Sequence, residues 1–389
     1  MSSPTLTATG AWTAAHDLPT AASWSGQHDG AVTLKGADKV LVVGGADGSS
    51  APLNQAAVYN PATDTWQPAG TVQTPRRLHA VVRLDDGKVM VSGGLSGSSP
   101  TSPALAAVEL YDPATNAWTP GTAMAAARWG HSAVLLPDKK ILVAGGTTIR
   151  AGQSLKALRS AELYDPVAGT WSAAGDMTDA RSGHVAVVLQ GGKVLVCGGT
   201  APVGGTDDPA LAFCELYDPA TKTWTPTGSL LQPRSRHQAT VLTDTTVLVT
   251  GGSAAGASGI GTFDPFSRRT AERFNLATGL WTAVHDMPAG RAAHRAFAIG
   301  GGKVLVVGGI GGESDDAGYR SAVVFDSAAN TWAPAAGLAT GRGSFAAAAL
   351  SAGKVFVAGG VVRSGFAAAD PTAVELTASA ETFTPGSGS

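Results

Sequence analysis

The residues best suited to acid–base chemistry lie in two short stretches of the C-terminal half of the chain. His285 is followed directly by Asp286, and an acidic run that contains Asp315 is followed by Tyr319. Imidazole, carboxyl and phenol groups are common proton donors and acceptors in enzymes. Adjacent residues of a strand point to opposite sides, so an ordinary loop is the alternative interpretation of each stretch. These four residues are the predicted catalytic candidates.

A second set of residues is suited to binding a planar or anionic molecule. Trp24 and Trp129 lie outside the regular spacing of the other tryptophans. Arginine offers a planar, charged group of donors, and aromatic rings stack on such groups or on planar ligands. The predicted substrate-binding set is Trp24, Arg77, Trp129, Arg236, Arg295, Phe263 and Phe266. Packing and surface solvation are the alternative interpretation of these side chains.

A repeat defines the elements that must position these residues. Gly-Gly pairs close seven short β-branched runs, and six pairs follow a tryptophan at a fixed distance, as Gly93 follows Trp66. All variation in repeat length therefore falls between a Gly pair and the next tryptophan. A period of about 50 residues is typical of repeat architectures. The pairs are residues 44–45, 93–94, 145–146, 198–199, 251–252, 308–309 and 359–360.

Each repeat contains four short runs that predict strands. In the third repeat these are residues 127–136, 140–146, 160–166 and 170–175, each bounded by Gly, Pro, Asp or Asn. No stretch has the periodicity of an amphipathic helix long enough to cover a sheet, so strands must pack on strands. Four-stranded sheets repeated seven times around an axis satisfy that requirement.

The repeats resemble those of the kelch family. The RxxH, Gly-Gly, LYDP and Trp motifs recur in register over nearly the whole chain, as Arg128, His131, Tyr164 and Trp171 illustrate. The resemblance implies an all-β fold, a seven-bladed kelch β-propeller with four antiparallel strands per blade. It also implies that the RxxH strand is innermost in each blade and the Trp strand outermost.

Closure of the predicted propeller has one candidate strand too many. Trp12 and Phe383 both match the outermost strand, which makes eight candidates for seven places. We predict that the N-terminal strand around Trp12 completes the seventh blade. A single domain over residues 1–389 is expected, with a loose C-terminal tail at about 385–389.

The resemblance also implies where a functional surface lies. In kelch-like domains the loop that enters the inner strand and the loop between the second and third strands open on one face. That face would be the binding face, since the turns on the other side are short here. Residues 253–272 form the longest loop, and its glycines with Phe263 and Phe266 predict a lid. The alternative is that this loop lies on the surface and has no function.

The repeated polar residues are predicted to be structural. A ring of histidines invites a metal hypothesis, but each one belongs to the family pattern, as do the repeated arginines and the glutamates of the ELYD motif. Cys197 precedes a Gly pair and is predicted to be a small core residue. The histidines are His28, His79, His131, His184, His237 and His294, and the arginines are Arg76, Arg128, Arg181, Arg234, Arg291 and Arg342.

Composition argues against several classes of protein. The net charge is −2 over 389 residues, which gives no electrostatic footprint for nucleic acid or an anionic membrane. No apolar run is long enough for a transmembrane helix, and the first residues lack the pattern of a signal peptide, so a cytoplasmic location is expected. Two cysteines are too few for a disulfide framework.

Chemistries known for kelch relatives find little support in the residues. A site like that of galactose oxidase would need a Tyr-His pair, and no tyrosine here is followed by histidine. The Glu-x3-Asp-x3-His pattern of the plant specifier proteins is also absent. The arginines are compatible with a mouth like that of the bacterial sialic acid mutarotases, from which the seven repeats and the missing secretion signal depart. No cofactor is predicted.

Two main functional hypotheses and one secondary hypothesis remain. The first is a small-molecule enzyme or binder using the central mouth, specified as a non-redox isomerase, cyclase or lyase in a specialised bacterial pathway. The second is a protein-interaction scaffold using the same loop face, the usual role of kelch propellers attached to other domains. The third is a metal-dependent kelch enzyme with ligands from separate loops. A deep mouth under the loop 253–272 would favour the first, and a flat apolar face the second.

Overall fold

The computed structural model describes residues 10–24, 30–149, 154–201, 209–254, 267–311, 317–370 and 374–386. These ranges contain β-strands and three single 3-10 turns, at Gln190–Gly192, Ser351–Gly353 and Gly365–Ala367, and no α-helix. The predicted all-β class is confirmed. Nowhere in the described ranges is there a helix of the length and apolarity needed to cross a membrane.

The strands are numbered in chain order. Those of the first half are β1 (Gly10–Ala15), β2 (Ala31–Thr33), β3 (Val40–Val43), β4 (Leu53–Asn60), β5 (Thr65–Arg76), β6 (Ala80–Arg83), β7 (Val89–Ser92), β8 (Val108–Asp112), β9 (Ala117–Gly121), β10 (Ser132–Leu135), β11 (Ile141–Ala144), β12 (Thr147–Thr148), β13 (Lys156–Ala157), β14 (Ser160–Asp165), β15 (Thr170–Asp176) and β16 (Val185–Val188). Those of the second half are β17 (Val194–Cys197), β18 (Cys214–Asp218), β19 (Thr223–Thr227), β20 (Gln238–Thr243), β21 (Thr246–Thr250), β22 (Ala271–Asn275), β23 (Leu280–Ala283), β24 (Arg295–Gly300), β25 (Lys303–Val307), β26 (Ala322–Asp326), β27 (Thr331–Ala335), β28 (Ala346–Ala349), β29 (Val355–Ala358), β30 (Val361–Arg363), β31 (Glu375–Leu376) and β32 (Ala380–Pro385).

Seven four-stranded antiparallel sheets form the blades of a propeller in the described part of the chain. From the centre outward, blades 1 to 7 are β2-β3-β4-β5, β6-β7-β8-β9, β10-β11-β14-β15, β16-β17-β18-β19, β20-β21-β22-β23, β24-β25-β26-β27 and β28-β29-β32-β1. Neighbouring first strands, such as β2 and β6, contact each other around the centre. Two small ribbons, β12-β13 and β30-β31, extend from the blades. The predicted seven-bladed propeller with four strands per blade is confirmed.

The N-terminal strand closes blade 7, as predicted. β1 pairs with β32 so that Trp12 lies opposite Phe383, with ring centroids 5.2 Å apart. Phe383 lies opposite Val355, which gives β32 the third place in the blade and leaves the outermost place to β1. Pro385 still pairs with Gly10, so regular structure extends further than the expected start of a loose tail.

The core lies within and between the blades. The second strand of a blade, such as β3 or β17, is buried at every position, because both faces of the sheet are covered. Each outer tryptophan links two blades. Trp171 packs on Tyr164 of its own blade, with centroids 5.0 Å apart, and its Nε1 donates to the Thr122 carbonyl of the preceding blade at 2.8 Å. The same donation is made by Trp12, Trp66, Trp118, Trp224, Trp281 and Trp332.

The histidines of the repeat pack against Gly pairs. A Cβ on Gly198, which has a φ of 64°, would lie 2.5 Å from both the Arg234 carbonyl oxygen and His237 Cε1. The histidine ring of one blade therefore occupies the space that the glycine of the preceding blade leaves open. Phe345 fills the same position against Gly308. The described histidines of this series are buried, and His28 lies outside the described residues.

The arginines of the repeat bind carbonyl groups and a buried glutamate. Arg181 donates to the Phe213 carbonyl oxygen at 2.7 Å and to Glu215 at 3.1 Å. Glu215 also accepts from the backbone N–H groups of Thr178 and Asp179. The pair thus ties the loop between two blades to a third strand. It recurs as Arg76–Glu109, Arg128–Glu162, Arg234–Glu272 and Arg342–Glu381.

Candidate functional site

The loops that enter the inner strands form a ring around the central opening. One residue in each of six loops has a left-handed backbone. These residues are linked by backbone hydrogen bonds from one blade to the one before it, as when the Gly130 N–H donates to the Leu78 carbonyl oxygen at 2.9 Å. We call these residues the mouth ring. They are Leu78, Gly130, Gly183, Arg236, Ala293 and Ser344, with φ between 51° and 62°.

A cavity of about 220 Å³ lies at the mouth ring and contains three predicted binding residues. Trp24, Arg77 and Arg236 line it, together with Asp47 and Ser344. The two arginines belong to different loops, one entering blade 2 and the other entering blade 5. We call this space the mouth cavity. The structure therefore brings together part of the predicted binding set.

Arg77 is fixed at the wall of the mouth cavity. Its Nε donates to the Gly97 carbonyl oxygen at 3.0 Å, and a terminal nitrogen donates to Ser98. Burial lowers the pKa of Arg77 from its usual value, which is so high that the group stays charged near neutral pH. Arg236 reaches the cavity from the mouth ring, where a φ of 53° is uncommon for a residue with a side chain.

Asp47 is a carboxylate already held by local hydrogen bonds. Its Oδ1 accepts from the Ser49 N–H, the Ser49 hydroxyl and the Ala51 N–H at 2.7–2.9 Å. Partial burial acts to raise the pKa of Asp47, but these hydrogen bonds outweigh it and the pKa is lowered. Asp47 is therefore ionised near neutral pH. Among the described residues, the lining of the mouth cavity thus contains two guanidinium groups and one carboxylate.

The two predicted tryptophans have different environments. Trp24 is 2 % exposed, and its Nε1 donates to the Val43 carbonyl oxygen at 3.1 Å. It fills space beside Gly30, Gly45 and Gly359, so packing is its main role even though it lines the mouth cavity.

Trp129 does not line the mouth cavity. It occupies in blade 3 the position that Arg77 occupies in blade 2. Its backbone pairs with that of Thr147 just as Arg77 pairs with Leu95.

Arg295 lies below the mouth, at the start of β24. It is 3 % exposed, and its guanidinium lies 5.7 Å from the centre of the Phe345 ring. Its NH1 also donates to the His294 carbonyl oxygen at 3.4 Å. Arg295 does not line the mouth cavity, because it belongs to the strand rather than to the loop before it.

His285 and Asp286 lie away from the mouth cavity, at the outer edge where blades 5 and 6 meet. The carbonyl oxygen of His285 accepts from Trp332 Nε1, and its Nδ1 contacts the Asn330 carbonyl oxygen. Asp286 pairs with Arg269 at 3.0 Å on the surface. This predicted pair therefore does not belong to the mouth cavity, because His285 follows an outer strand.

Tyr319 is explained by packing in blade 6. Arg291 lies over its ring, 5.7 Å from the centroid, and donates to the Ser321 hydroxyl at 3.0 Å. Val323 stands where the blade 4 sheet has Glu215, so in blade 6 the Tyr319 ring lies beside an arginine that has no glutamate at this position. Burial lowers the pKa of Arg291 to about 10. Asp315, Phe263 and Phe266 lie outside the described residues, as does most of the predicted lid.

No group of three or more His, Cys, Asp or Glu side chains is arranged to hold a metal ion in the ranges that the structure describes. Cys197 and Cys214 face each other as strand partners in blade 4, and both are buried. Burial raises the pKa of the Cys197 thiol well above its usual value, which makes it a poor nucleophile or metal ligand near neutral pH.

Sequence reasoning missed several residues of the mouth cavity. Asp47 and Ser50 follow a Gly pair in a loop of variable length, where the repeat gives no register. Leu78 and Ser344 could have been found, because the residue before the histidine position recurs in every repeat and belongs to the mouth ring.

Comparisons with known proteins agree with the fold. A family model, the KLHDC2/KLHL20/DRC7 Kelch-repeats domain, matches residues 30–252. Kelch-like protein 25 of Xenopus tropicalis is 28 % identical over 246 residues, which are 62 % of this chain and 38 % of that protein. Kelch-like protein terF of Aspergillus terreus is 31 % identical over 239 residues, which are 60 % of this chain and 50 % of that protein. The chain thus spans half or less of the length of these relatives.

Two solved structures share the architecture. A fungal alcohol oxidase of the AA5 family, in complex with copper, aligns with a TM-score of 0.72 and 19 % identity over 97 % of this chain and 76 % of that one. YjhT aligns with a TM-score of 0.57 and 15 % identity over 75 % of this chain and 92 % of that one. At such identities the likeness concerns the fold alone.

Proposed function

The chain belongs to the kelch-repeat family, and we propose that this propeller binds a small molecule with an anionic group in the mouth cavity. One observation carries the proposal. Arg77 and Arg236, from loops entering blades 2 and 5, line one cavity, and Asp47 has the single carboxylate among the described residues of its lining. Two guanidinium groups therefore accompany one carboxylate in the described lining, and this balance of charge favours an anion.

The cavity also limits the size and shape of the ligand. A volume of about 220 Å³ suits a compact molecule. Leu78 and Ile310 offer apolar surface, while Ser23 and Ser344 can exchange hydrogen bonds. Arginine pairs well with carboxylate and phosphate groups through parallel N–H donors. The proposed ligand is a carboxylate or phosphate attached to a short apolar body.

The proposal is one of binding, without isomerase, cyclase or lyase chemistry. A general acid or base works best with a pKa near the operating pH. Hydrogen bonds lower the pKa of Asp47, and His285 and Asp286 lie at the outer edge of the propeller. The described lining of the mouth cavity therefore contains no group suited to moving a proton near neutral pH.

Ligand-observed NMR with a matched pair of probes tests this proposal. We expect phenylacetate to bind and its neutral isostere phenylacetamide to bind more weakly. Arg77→Gln and Arg236→Gln should each weaken phenylacetate by about tenfold or more, because a charge-assisted hydrogen bond contributes about 1.5–3 kcal/mol. The fold should be retained, although the thermal midpoint of Arg77→Gln should fall, because that side chain also donates to the Gly97 and Ser98 carbonyl oxygens.

Arg269→Gln is the matched control, because that arginine lies on the surface and pairs with Asp286 far from the mouth. It should leave phenylacetate binding unchanged. Equal binding of the acid and the amide, or full binding by both mouth variants, would show that the cavity does not select anions.

A protein partner on the same face is the second candidate. Phe213 is 54 % exposed and Leu231 is 58 % exposed, although both are large apolar residues. Their segments adjoin, since the Leu230 N–H donates to the Ala212 carbonyl oxygen at 2.8 Å. Exposed apolar side chains that lie together are typical of interaction surfaces. A partner docked there would be sensitive to Leu231→Ser and insensitive to Arg77→Gln.

A further inference from the structure

Blade 1 lacks the buried arginine–glutamate pair of its neighbours. Between blades 7 and 1, the Gly360 N–H donates to the Ala22 carbonyl oxygen. Between blades 1 and 2, the Gly45 N–H donates in the same way to the Arg76 carbonyl oxygen. Ala22 therefore occupies the arginine position. Ala57 occupies the glutamate position, because it lies opposite Pro68 as Glu109 lies opposite Pro120.

A cavity of about 310 Å³ occupies the place of the missing pair. Ala22 and Ala57 both line it, along with Leu18, Trp24 and Leu53. It lies beside the segment that leads from the closing strand into blade 1. We call it the seam cavity. No charged side chain lines it among the residues that the structure describes.

The loop beside the seam cavity is adapted to the loss of the glutamate. In blade 2 the Gln73 N–H, three residues before Arg76, donates to Glu109. Pro19 stands three residues before Ala22 and has no N–H to donate. The first of the two backbone donors that bind the glutamate in other blades is therefore absent together with the carboxylate.

Blade 6 shows that the cavity depends on losing both partners. It has Pro288 and Val323 at the corresponding positions, yet it keeps Arg291. The Arg291 side chain is buried and donates to the Gly308 carbonyl oxygen, so the space there stays filled. In blade 1 both side chains are alanine, and the space opens.

Two backbone positions in the seam cavity suggest a polar contact for a ligand. In blade 2, Arg76 donates to the carbonyl oxygens of Gly93 and Ala107. The equivalent residues of blade 1 are Gly44 and Gln55, and both line the seam cavity. A donor on a ligand can take the place of the guanidinium, but a cation would find no carboxylate to balance its charge.

We propose that the seam cavity binds a small neutral molecule that is mostly apolar and carries one hydrogen-bond donor, such as an alcohol. The apolar walls favour burial of a hydrocarbon body, and the few polar groups fix its orientation. This site is separate from the mouth cavity, although Trp24 lines both. The proposal does not depend on the anion-binding function.

Benzyl alcohol is the probe, with toluene and benzylamine as comparators that lack the donor or add a charge. On methyl-labelled full-length protein, we expect saturable binding of benzyl alcohol with a Kd of about 1–10 mM. Nuclear Overhauser contacts should connect its ring to the methyl groups of Leu18 and Leu53. Benzylamine should bind at least about tenfold more weakly, since burying an unpaired charge is costly. Absence of saturable binding, or contacts elsewhere only, would overturn the proposal.

Variants that fill the cavity give an independent test. The double variant Ala22→Arg/Ala57→Glu rebuilds the pair seen in blade 2, and Ala57→Leu fills the space without charge. Each should abolish benzyl alcohol binding, and Ala117→Leu on the exposed face of β9 should leave it unchanged. Binding that survives in folded filling variants would overturn the proposal. If neither variant folds, the contacts to Leu18 and Leu53 in the natural protein decide.

Discussion

His79 packs its ring against Gly44 of the neighbouring blade, where a Cβ on that glycine would lie 2.7 Å from the Cε1 atom. The side chain is almost fully buried. Burial, together with the nearby charge of Arg76, lowers the pKa of His79 to about 3. The ring is therefore neutral near pH 7. Phe345 does the same packing in blade 7, which shows that the position requires a flat ring rather than a proton.

Replacing His79 with phenylalanine should flatten the dependence of stability on pH. The folded-state pKa lies below the unfolded value of about 6.5, so the unfolded state binds the proton first as pH falls. Stability is therefore full above about pH 6.5 and is lost toward pH 3, by about 1.4 kcal/mol per pH unit for each such histidine. In His79→Phe that contribution disappears. Urea unfolding at several values between pH 7 and 4 measures it.

Phe345→His is the reciprocal variant, since it places a titratable ring where blade 7 has none. It should make the free energy of unfolding fall more steeply with decreasing pH. An unchanged pH dependence in His79→Phe would mean that this histidine does not titrate between the folded and unfolded states.

The repeat explains which residues could be interpreted from sequence. Histidines and arginines that recur at one position were predicted to be structural, and their buried contacts agree. The position of Arg77 and Arg236 at the mouth could be predicted, because both belong to loops that enter inner strands. Asp47 could not be found, because a loop of variable length has no register. The place of His285 could not be predicted either, since periodicity does not reveal which backbone carbonyl accepts the hydrogen bond of the next tryptophan.

At the scale of the element, the buried arginine–glutamate pair fixes each loop between blades to the sheet that follows. Glu215 accepts from Arg181 and from two backbone N–H groups, those of Thr178 and Asp179. Five such pairs occur in the described blades, and the two blades without a glutamate both have proline in the loop, at Pro19 and Pro288. One of the two backbone donors is thus lost together with the acceptor.

Glu215→Val, which copies blade 6 into blade 4, should cost about 3–5 kcal/mol of unfolding free energy, because it leaves the Arg181 cation buried without its partner. Glu215→Gln should cost less, since the amide oxygen still accepts a hydrogen bond. The midpoint of urea unfolding measures both. Asp176→Val is the control, because it breaks an exposed pair with Arg159 and should cost no more than about 1 kcal/mol. Similar costs for Glu215→Val and Asp176→Val would contradict this role.

At the scale of the whole molecule, the sequence predicted the number of blades but left the order of strands in blade 7 ambiguous. Phe383 resembles an outer-strand aromatic, yet it lies opposite Val355 as Tyr217 lies opposite Val194. It therefore holds the third position, and Trp12 holds the fourth. The ambiguity arose at the chain ends, where no further repeat follows to set the register.

Closure makes blade 7 the one blade built from both ends of the chain, so a covalent link there should stabilise the entire ring. Thr13 and Thr382 are partners in the β1–β32 pair, and partnered Cα atoms of antiparallel strands lie about 4.5–5.5 Å apart, within the range of a disulfide. Thr13→Cys/Thr382→Cys should gain about 2–4 kcal/mol when oxidised, through the loop that the bond closes in the unfolded chain. Thermal unfolding with and without reductant measures the gain.

Cys197 and Cys214 are buried and should not compete for the new bond. A midpoint that does not fall on reduction would show that opening of the β1–β32 seam does not contribute to unfolding of the propeller.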